Sequence, residues 1–360
     1  MATISLKSLP VVGRAIDGYL RDRVVPFSAR DGFQCNVINV RGEKVPTKPP
    51  VLLVHGAGVR ANIFRAPVEV SLVDYLVSAG FDVWLENWRA SIEFAPNRWN
   101  LDKAAINDHP AAVETVVCET GAEKIKAVIH CQGSTSFMMS ALAGLVPKVD
   151  TIVSNAVSLH TVVPTWSKLK LTYALPLLTQ MTDYLNPQWG REAPTLAAKL
   201  VALMVRIAHH ECGNPVCKQV SFTYGSGFPA LWRHENLNDA THGWLSDEFA
   251  EVPMSFFSQM ASCVHRGNLV SVDGSRELPA DFAAQSPQTD ARFAFFTGQY
   301  NRCFLPVSQL RTYDWFRSHR RDYHSFYDLP DYSHLDVFMG KNAARDVFPL
   351  IANELEKSAA

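Results

Sequence analysis

The sequence predicts an α/β protein: a mostly parallel sheet flanked by helices, interrupted by an inserted helical segment. Three observations carry this reading. Apolar runs recur at 51–54, 81–88, 124–130, 149–156 and 291–298, as strands of a parallel sheet covered on both faces should. Segments with helical spacing separate them, at 69–79, 101–119 and 134–145. Between about 158 and 288 this alternation stops. Amphipathic helical patterns at 168–185, 194–210 and 245–265, rich in aromatics, take its place. The expected division is therefore a core in two parts, 1–157 and 289–360, around a helical cap at 158–288.

Each element follows from local pattern. FSARDGFQCNVINVRG (27–42) alternates around a turn and reads as an antiparallel hairpin on the sheet edge. VLLV (51–54) runs into His55-Gly56-Ala57-Gly58, a buried strand opening into a tight loop. Gly80 is a natural stop for the first helix. KIKAVIH (124–130) leads directly into Cys131-Gln132-Gly133 and the helical run STSFMMSALAGL (134–145). After the cap come the strand 291–298, a helix near 307–318, a strand at 324–330, a loop holding His334 and a closing helix around 342–357.

Composition narrows the function classes. The chain has 360 residues, 47% of them hydrophobic, and 34 Lys+Arg balance 35 Asp+Glu, which argues against a nucleic-acid surface. Its 8 Trp, 20 Phe and 10 Tyr need burial and exclude global disorder. Seven cysteines, an odd number in a long chain, suit reduced thiols and a cytoplasmic setting rather than a disulfide framework. The opening MATISLKSLPVVGRAIDGYLRDRVV lacks the apolar run of a secretory leader. The best transmembrane candidate, 171–185, is too short and is broken by Pro176 and Asp183.

The chemistry concentrates at Cys131. A strand, sharp turn and helix is the context in which a nucleophile is held out at the sheet's carboxyl edge. The N–H groups opening the helix then lower a thiol's pKa, and the thiolate is the reactive form. A buried packing cysteine is the bland alternative; Ser134 is the only nearby hydroxyl competitor and suits packing better. The backbone N–H groups of Ala57 and Gln132 are placed to hold an oxyanion. The side chain of His55 suits bracing that loop rather than reacting.

Twelve histidines compete for the base. His334, between the last strand and the last helix, can reach over the sheet edge; His109, His160, His209, His210, His234, His242, His265 and His324 read as surface or core residues. The third member is expected after the strand ending at Gly298, where GQYNRCFLP carries no carboxylate and Asn301 takes the place. A serine would be badly served by an amide there, because its histidine becomes a cation during attack. A cysteine–histidine pair tolerates one, so Cys131 and Asn301 are chemically consistent; Asn155 and Asp336 are alternative orienters. His209-His210-Glu211-Cys212 through Cys217 hints at a metal, but zinc spacing asks for a second pair and none is evident, so no metal is expected. No dinucleotide or phosphate-loop fingerprint occurs, so no cofactor is expected either.

These motifs resemble the α/β-hydrolase superfamily across nearly the whole chain. VLLVHGAG is similar to its oxyanion loop, and the segment Gly80 to Arg89 to the matching strand of acid-lipase-type members. HCQGS resembles the nucleophile elbow with Cys for Ser, and GQYNRCFLP and YSHLDVFMG resemble the acid and histidine loops. The likeness is strongest to hydrolase domains fused to cholesterol-oxidase-type flavoproteins and extends to the Cys-dependent polyhydroxyalkanoate synthases. It implies a triad of Cys131, His334 and Asn301. Ile129 and Asn301 depart from the pattern, where the family carries a glycine and an acid.

The expected activity is acyl transfer. Cys131 attacks a hydrophobic ester or thioester, Ala57 and Gln132 hold the oxyanion, His334 protonates the leaving group and Asn301 orients His334. The thioester intermediate passes to water, as in an esterase or lipase, or to another nucleophile, as in an acyltransferase. A silent fold relative that binds a hydrophobic ligand is the remaining alternative. The expected partners are that substrate and, at most, a second copy of the chain.

Overall fold

A computed structural model describes residues 14–15 and 18–357 of the chain; most of the opening stretch read above as lacking a secretory leader lies outside them. Eight strands build the central sheet: β1 Arg21–Ser28, β2 Gln34–Arg41, β3 Lys48–Val54, β4 Phe81–Asn87, β5 Ile125–His130, β6 Val149–Asn155, β7 Arg292–Gly298 and β8 Ser325–Leu329. Their order across the sheet is β1-β2-β4-β3-β5-β6-β7-β8. Every pairing from β4 to β8 is parallel, while β1 with β2 and β2 with β4 are antiparallel. The expected edge hairpin is present, with its first strand beginning earlier than the alternation indicated. Strands β4, β5 and β7 are buried at every residue, and an apolar cluster packs on each face of the sheet.

The helices follow their end signals. In α1 (Leu72–Ser78), Ser71 and Asp74 form a reciprocal capping box, and Gly80 beyond its end has φ 92°. The pattern at 101–119 becomes a short helix at Leu101–Lys103, a π-turn at Ala104–Asp108 and α2 (His109–Thr120), stopped by left-handed Gly121. Helix α3 (Cys131–Leu142) starts three residues earlier than its apolar pattern indicated, because the sharp turn at Cys131 feeds the helix without a linker.

Between β6 and β7 lie α4 (Thr165–Leu169), α5 (Leu175–Met181), α6 (Leu196–Ala208), α7 (Pro215–Tyr224) and α8 (Met254–Arg266). Tyr184–Leu185 and Val252–Pro253 pair as a two-stranded clamp that joins the two ends of this insert. Helix α7 was not among the expected elements, although Asn214-Pro215 is a good start signal: Asn214 Oδ1 accepts from the N–H groups of Val216 and Cys217. The insert is fastened to the core through Arg60, whose Nε and Nη2 reach Glu248 at 2.8 and 2.7 Å. After β7 follow α9 (Pro306–His319), β8 and the closing segment. That segment divides into a short helix at Ala343–Asp346 and α10 (Phe348–Glu356), because Pro349 prefers a helix's first turn.

Candidate active site

Cys131 directly follows β5 and opens α3 with φ 56°, a left-handed conformation that is strained for a residue with a side chain. The strain is held by close packing. A Cβ on Gly133 would sit 2.0 Å from the carbonyl oxygen of His55, and one on Gly56 would sit 2.9 Å from the Cys131 Cβ. Only glycines let the 55–58 loop lie against the elbow. Ile129, at the position where the resemblance leads one to expect a glycine, is fully buried in β5 between Val54 and Ser154.

His334, in the loop after β8, comes beside this cysteine, and Asn301, in the loop after β7, meets His334. One ring nitrogen each of His130 and His334 and the Cys131 sulfur lie within 4.8 Å of one another. Asn301 Nδ2 is 3.1 Å from His334 Nδ1. The other half of the amide is committed: Asn301 Oδ1 accepts from the N–H groups of Cys303 and Phe304 at 3.0 and 3.2 Å. A flipped amide would set NH2 hydrogens against two N–H donors. The NH2 group therefore faces His334, and Nδ1 must be the acceptor. The remaining proton of a neutral ring then sits on Nε2, which is buried and has no hydrogen-bond partner among the described residues. Of the alternative orienters, Asn155 bonds His130 Nδ1 and the His334 carbonyl, each at 3.0 Å, and Asp336 accepts from Ser333, Arg233 and Asn236. Neither touches the His334 ring through a hydrogen bond.

Cys303 is the site residue that sequence reasoning missed. It lies two positions after Asn301 and lines the cleft beside Gln132, near enough for its thiol to act on the Cys131 thiol. Its S–H is the leading reason that the Cys131 thiol falls well below the ordinary range; His334 and the Gln132 N–H add to this, and burial opposes it. Cys303 is driven up by the same contact. The two shifts favour Cys131 as the sulfur that ionises first, where helix α3 presents its unpaired N–H groups. The only advance signal was a second cysteine in the 299–306 loop.

The Ala57 N–H has no hydrogen bond to another protein group among the described residues. The carbonyl of Ala57 accepts from Tyr224 Oη at 3.0 Å, which fixes the loop from the insert. Beyond lies an open cleft lined by Gln132, Cys303, Leu171, Leu175, Phe256, Phe257 and Met260. Its apolar lining suits a hydrophobic ligand.

Other candidates stand apart. Ser134 is buried with its hydroxyl 2.6 Å from Ser154 Oγ. Glu86, His109 and Ser136 form a bonded chain with triad-like order, at 2.9 and 2.7 Å, but all are buried away from the cleft. His55 braces its loop through a 2.6 Å contact to the Gly56 carbonyl, and burial lowers its pKa to about 3. The expectation that Cys212 and Cys217 lack a second ligand pair is corrected: His234 and His242, remote in sequence, lie beside them, with all four ligand atoms within 4.8 Å. His209 instead faces Glu211 at 3.3 Å.

The family model described as "alpha/beta hydrolase fold" matches residues 49–206. Over 138 residues the chain is 29% identical to sterol esterase 2 of Saccharomyces cerevisiae, covering 31% of this chain and 25% of that protein. Over 165 residues it is 32% identical to gastric triacylglycerol lipase of Rattus norvegicus, covering 41% and 42%. These matches therefore span a quarter to about two-fifths of the two relatives' own lengths. Among solved structures, a soluble variant of monoglyceride lipase from Saccharomyces cerevisiae, in complex with a substrate analogue, superposes with a TM-score of 0.58 at 11% identity, over 97% of this chain and 98% of that one. This last likeness is one of fold. No helix of the described residues is long and apolar enough to cross a membrane.

Proposed function

We propose that this chain, which has the α/β-hydrolase fold, is an acyl-transfer enzyme of the lipase and esterase kind that works through a thioester on Cys131. The observation that carries this reading is the Cys131 sulfur itself. It is held in a left-handed elbow immediately before Gln132, which lines an apolar cleft, with a pKa well below that of an ordinary thiol. Its thiolate attacks the carbonyl of a hydrophobic ester or thioester. The Ala57 and Gln132 N–H groups receive the oxyanion, and residues 158–288 act as a cap that supplies the acyl-chain walls.

The amide of Asn301 shapes the release of the acyl group. With Nδ1 accepting and Nε2 protonated, His334 donates to the sulfur or to the leaving atom, but has no free nitrogen with which to take a proton from water. Expelling a thiolate needs no proton. An alkoxide needs one, and a neutral His334 that gives it up becomes an imidazolate. Thioesters and esters of acidic alcohols are therefore the favoured donors. The acyl-enzyme is released fastest to an acceptor that is itself a good nucleophile, such as a thiol or an amine. This observation favours acyltransferase chemistry as the second reading, beside hydrolysis.

The test is a mass measurement. After incubation with a panel of acyl thioesters and p-nitrophenyl esters, the intact chain should gain one acyl mass, located on Cys131 and released by hydroxylamine. Turnover that persists after complete alkylation of Cys131 by iodoacetamide would exclude the proposal.

A further inference from the structure

Four metal-ligand side chains converge within the insert, away from the acyl site. Cys212 precedes α7 and Cys217 lies in its first turn. His234 starts the short turn His234–Asn236, and His242 belongs to the helix Asp239–Trp244. The Cys212 sulfur is 3.8 Å from His242 Nε2, and the Cys217 sulfur is 3.5 Å from His234 Nε2. The two imidazole rings stand 4.8 Å apart at 86°. A tetrahedral zinc ion with bonds of about 2.3 Å to sulfur and about 2.05 Å to nitrogen keeps its sulfur and nitrogen ligands roughly 3.6 Å apart. The two observed edges straddle that value. We propose that Cys212, Cys217, His234 and His242 form a structural Cys2His2 zinc site.

The surroundings are those of a built site. Both cysteines are free thiols, and no carboxylate belongs to the cluster. Asn214 braces its halves: Oδ1 accepts from the N–H of Cys217 at 3.2 Å, while Nδ2 donates to Ser246 Oγ at 2.7 Å and the His242 carbonyl at 3.4 Å. The buried indole N–H of Trp232 has no hydrogen-bond partner among the described residues. Two thiolates, two neutral imidazoles and a divalent ion sum to zero charge, which suits a half-buried position. The two thiol protons pass to solvent on binding. With four protein ligands, no coordination position is open for catalysis.

The site fastens the loop that carries His334. The Leu231 carbonyl accepts from the N–H groups of His334 and Leu335 at 3.2 and 2.8 Å. The Arg233 N–H and Asn236 Nδ2 hold Asp336 Oδ2 at 3.1 and 2.7 Å. His234 sits within this same segment, so the ion ties α7 to the backbone against which His334 is set.

The experiment is elemental analysis of the purified full-length chain, followed by replacement with cobalt(II). The expected result is stoichiometric zinc that a mercurial reagent releases, and a cobalt form with intense tetrahedral d–d bands and a sulfur-to-cobalt charge-transfer band. Cys212→Ser and His242→Asn should lose both metal and bands, while Cys131→Ser keeps them. If the two cap variants do not fold, the wild-type cobalt spectrum decides by itself. An absence of stoichiometric metal before and after reconstitution overturns the proposal. So do an octahedral cobalt spectrum, full metal retention in Cys212→Ser, or a Cys212–Cys217 disulfide in the intact mass.

Discussion

Replacing Asn301 by aspartate reverses one hydrogen bond, and that reversal decides whether His334 can carry a proton on Nδ1. The carboxylate fits the existing cradle. One oxygen keeps the N–H groups of Cys303 and Phe304, now at 3.0 and 3.2 Å from Asn301 Oδ1, and the other faces Nδ1 across the present 3.1 Å contact. In the native chain an imidazolium would point its Nδ1–H at an NH2 donor. Leaving such a buried donor unpaired costs about 1–3 kcal/mol, and the charged hydrogen bond that is missing is worth about 1.5–3 kcal/mol. Together, about 2.5–6 kcal/mol of imidazolium stabilisation is withheld, which at 1.36 kcal/mol per decade is roughly two to four powers of ten in any step that passes through the cation. Activating water to release the acyl-enzyme is such a step.

The assay is pre-steady-state hydrolysis of a p-nitrophenyl ester. Wild type should show a burst followed by slow release, and Asn301→Asp should raise the slow phase by that factor while changing the burst much less. Thermal unfolding of both proteins guards against a trivial loss of fold. An unchanged slow phase in a folded variant would refute the argument that the amide's donor side governs His334. A slow phase that falls would refute it as well.

Three further outcomes are expected. The iodoacetamide rate at Cys131 rises as its thiol deprotonates, so its pH midpoint should lie well below that of a free thiol; Cys303→Ala, which removes the leading cause of that lowering, should move the midpoint upward. Gly133→Ala drives a Cβ to 2.0 Å from the His55 carbonyl oxygen and should cost about 1–3 kcal/mol or more in denaturant unfolding, with loss of the burst. His324 accepts the Phe293 N–H on Nδ1, and burial holds its pKa at about 4, below the 6.5 of an unfolded chain. The unfolded state therefore binds the proton first: this residue's contribution is intact above pH 6.5 and is lost as pH falls toward 4, and His324→Gln should flatten the melting temperature over that window.

What could be read from the sequence was whatever a local pattern encodes. The apolar runs that became β3 to β7 leave a parallel sheet as the arrangement that buries both faces of each strand, and a cysteine between such a strand and a helix marks an elbow. Asn301 could be located because it follows a strand, but its polarity could not. Which end of the amide faces His334 depends on the backbone N–H groups of Cys303 and Phe304, a property of a turn rather than of a residue. Cys303 itself carried no mark beyond its loop, since a thiol gains chemical meaning only from its neighbour. The same holds more strongly for the cap. Cys212 and Cys217 share one loop and read as half a site, and the other half lies on a turn and a helix that only the folded insert brings near. Helix α7 went unseen for a related reason: its start signal, Asn214-Pro215, is embedded in that cysteine-rich stretch. Residues placed by secondary structure were thus legible, whereas those defined by pairing across it were not. The chemical character of this site, an acid-type cradle holding an amide and one cysteine whose thiol is lowered by another, lies entirely in the second class.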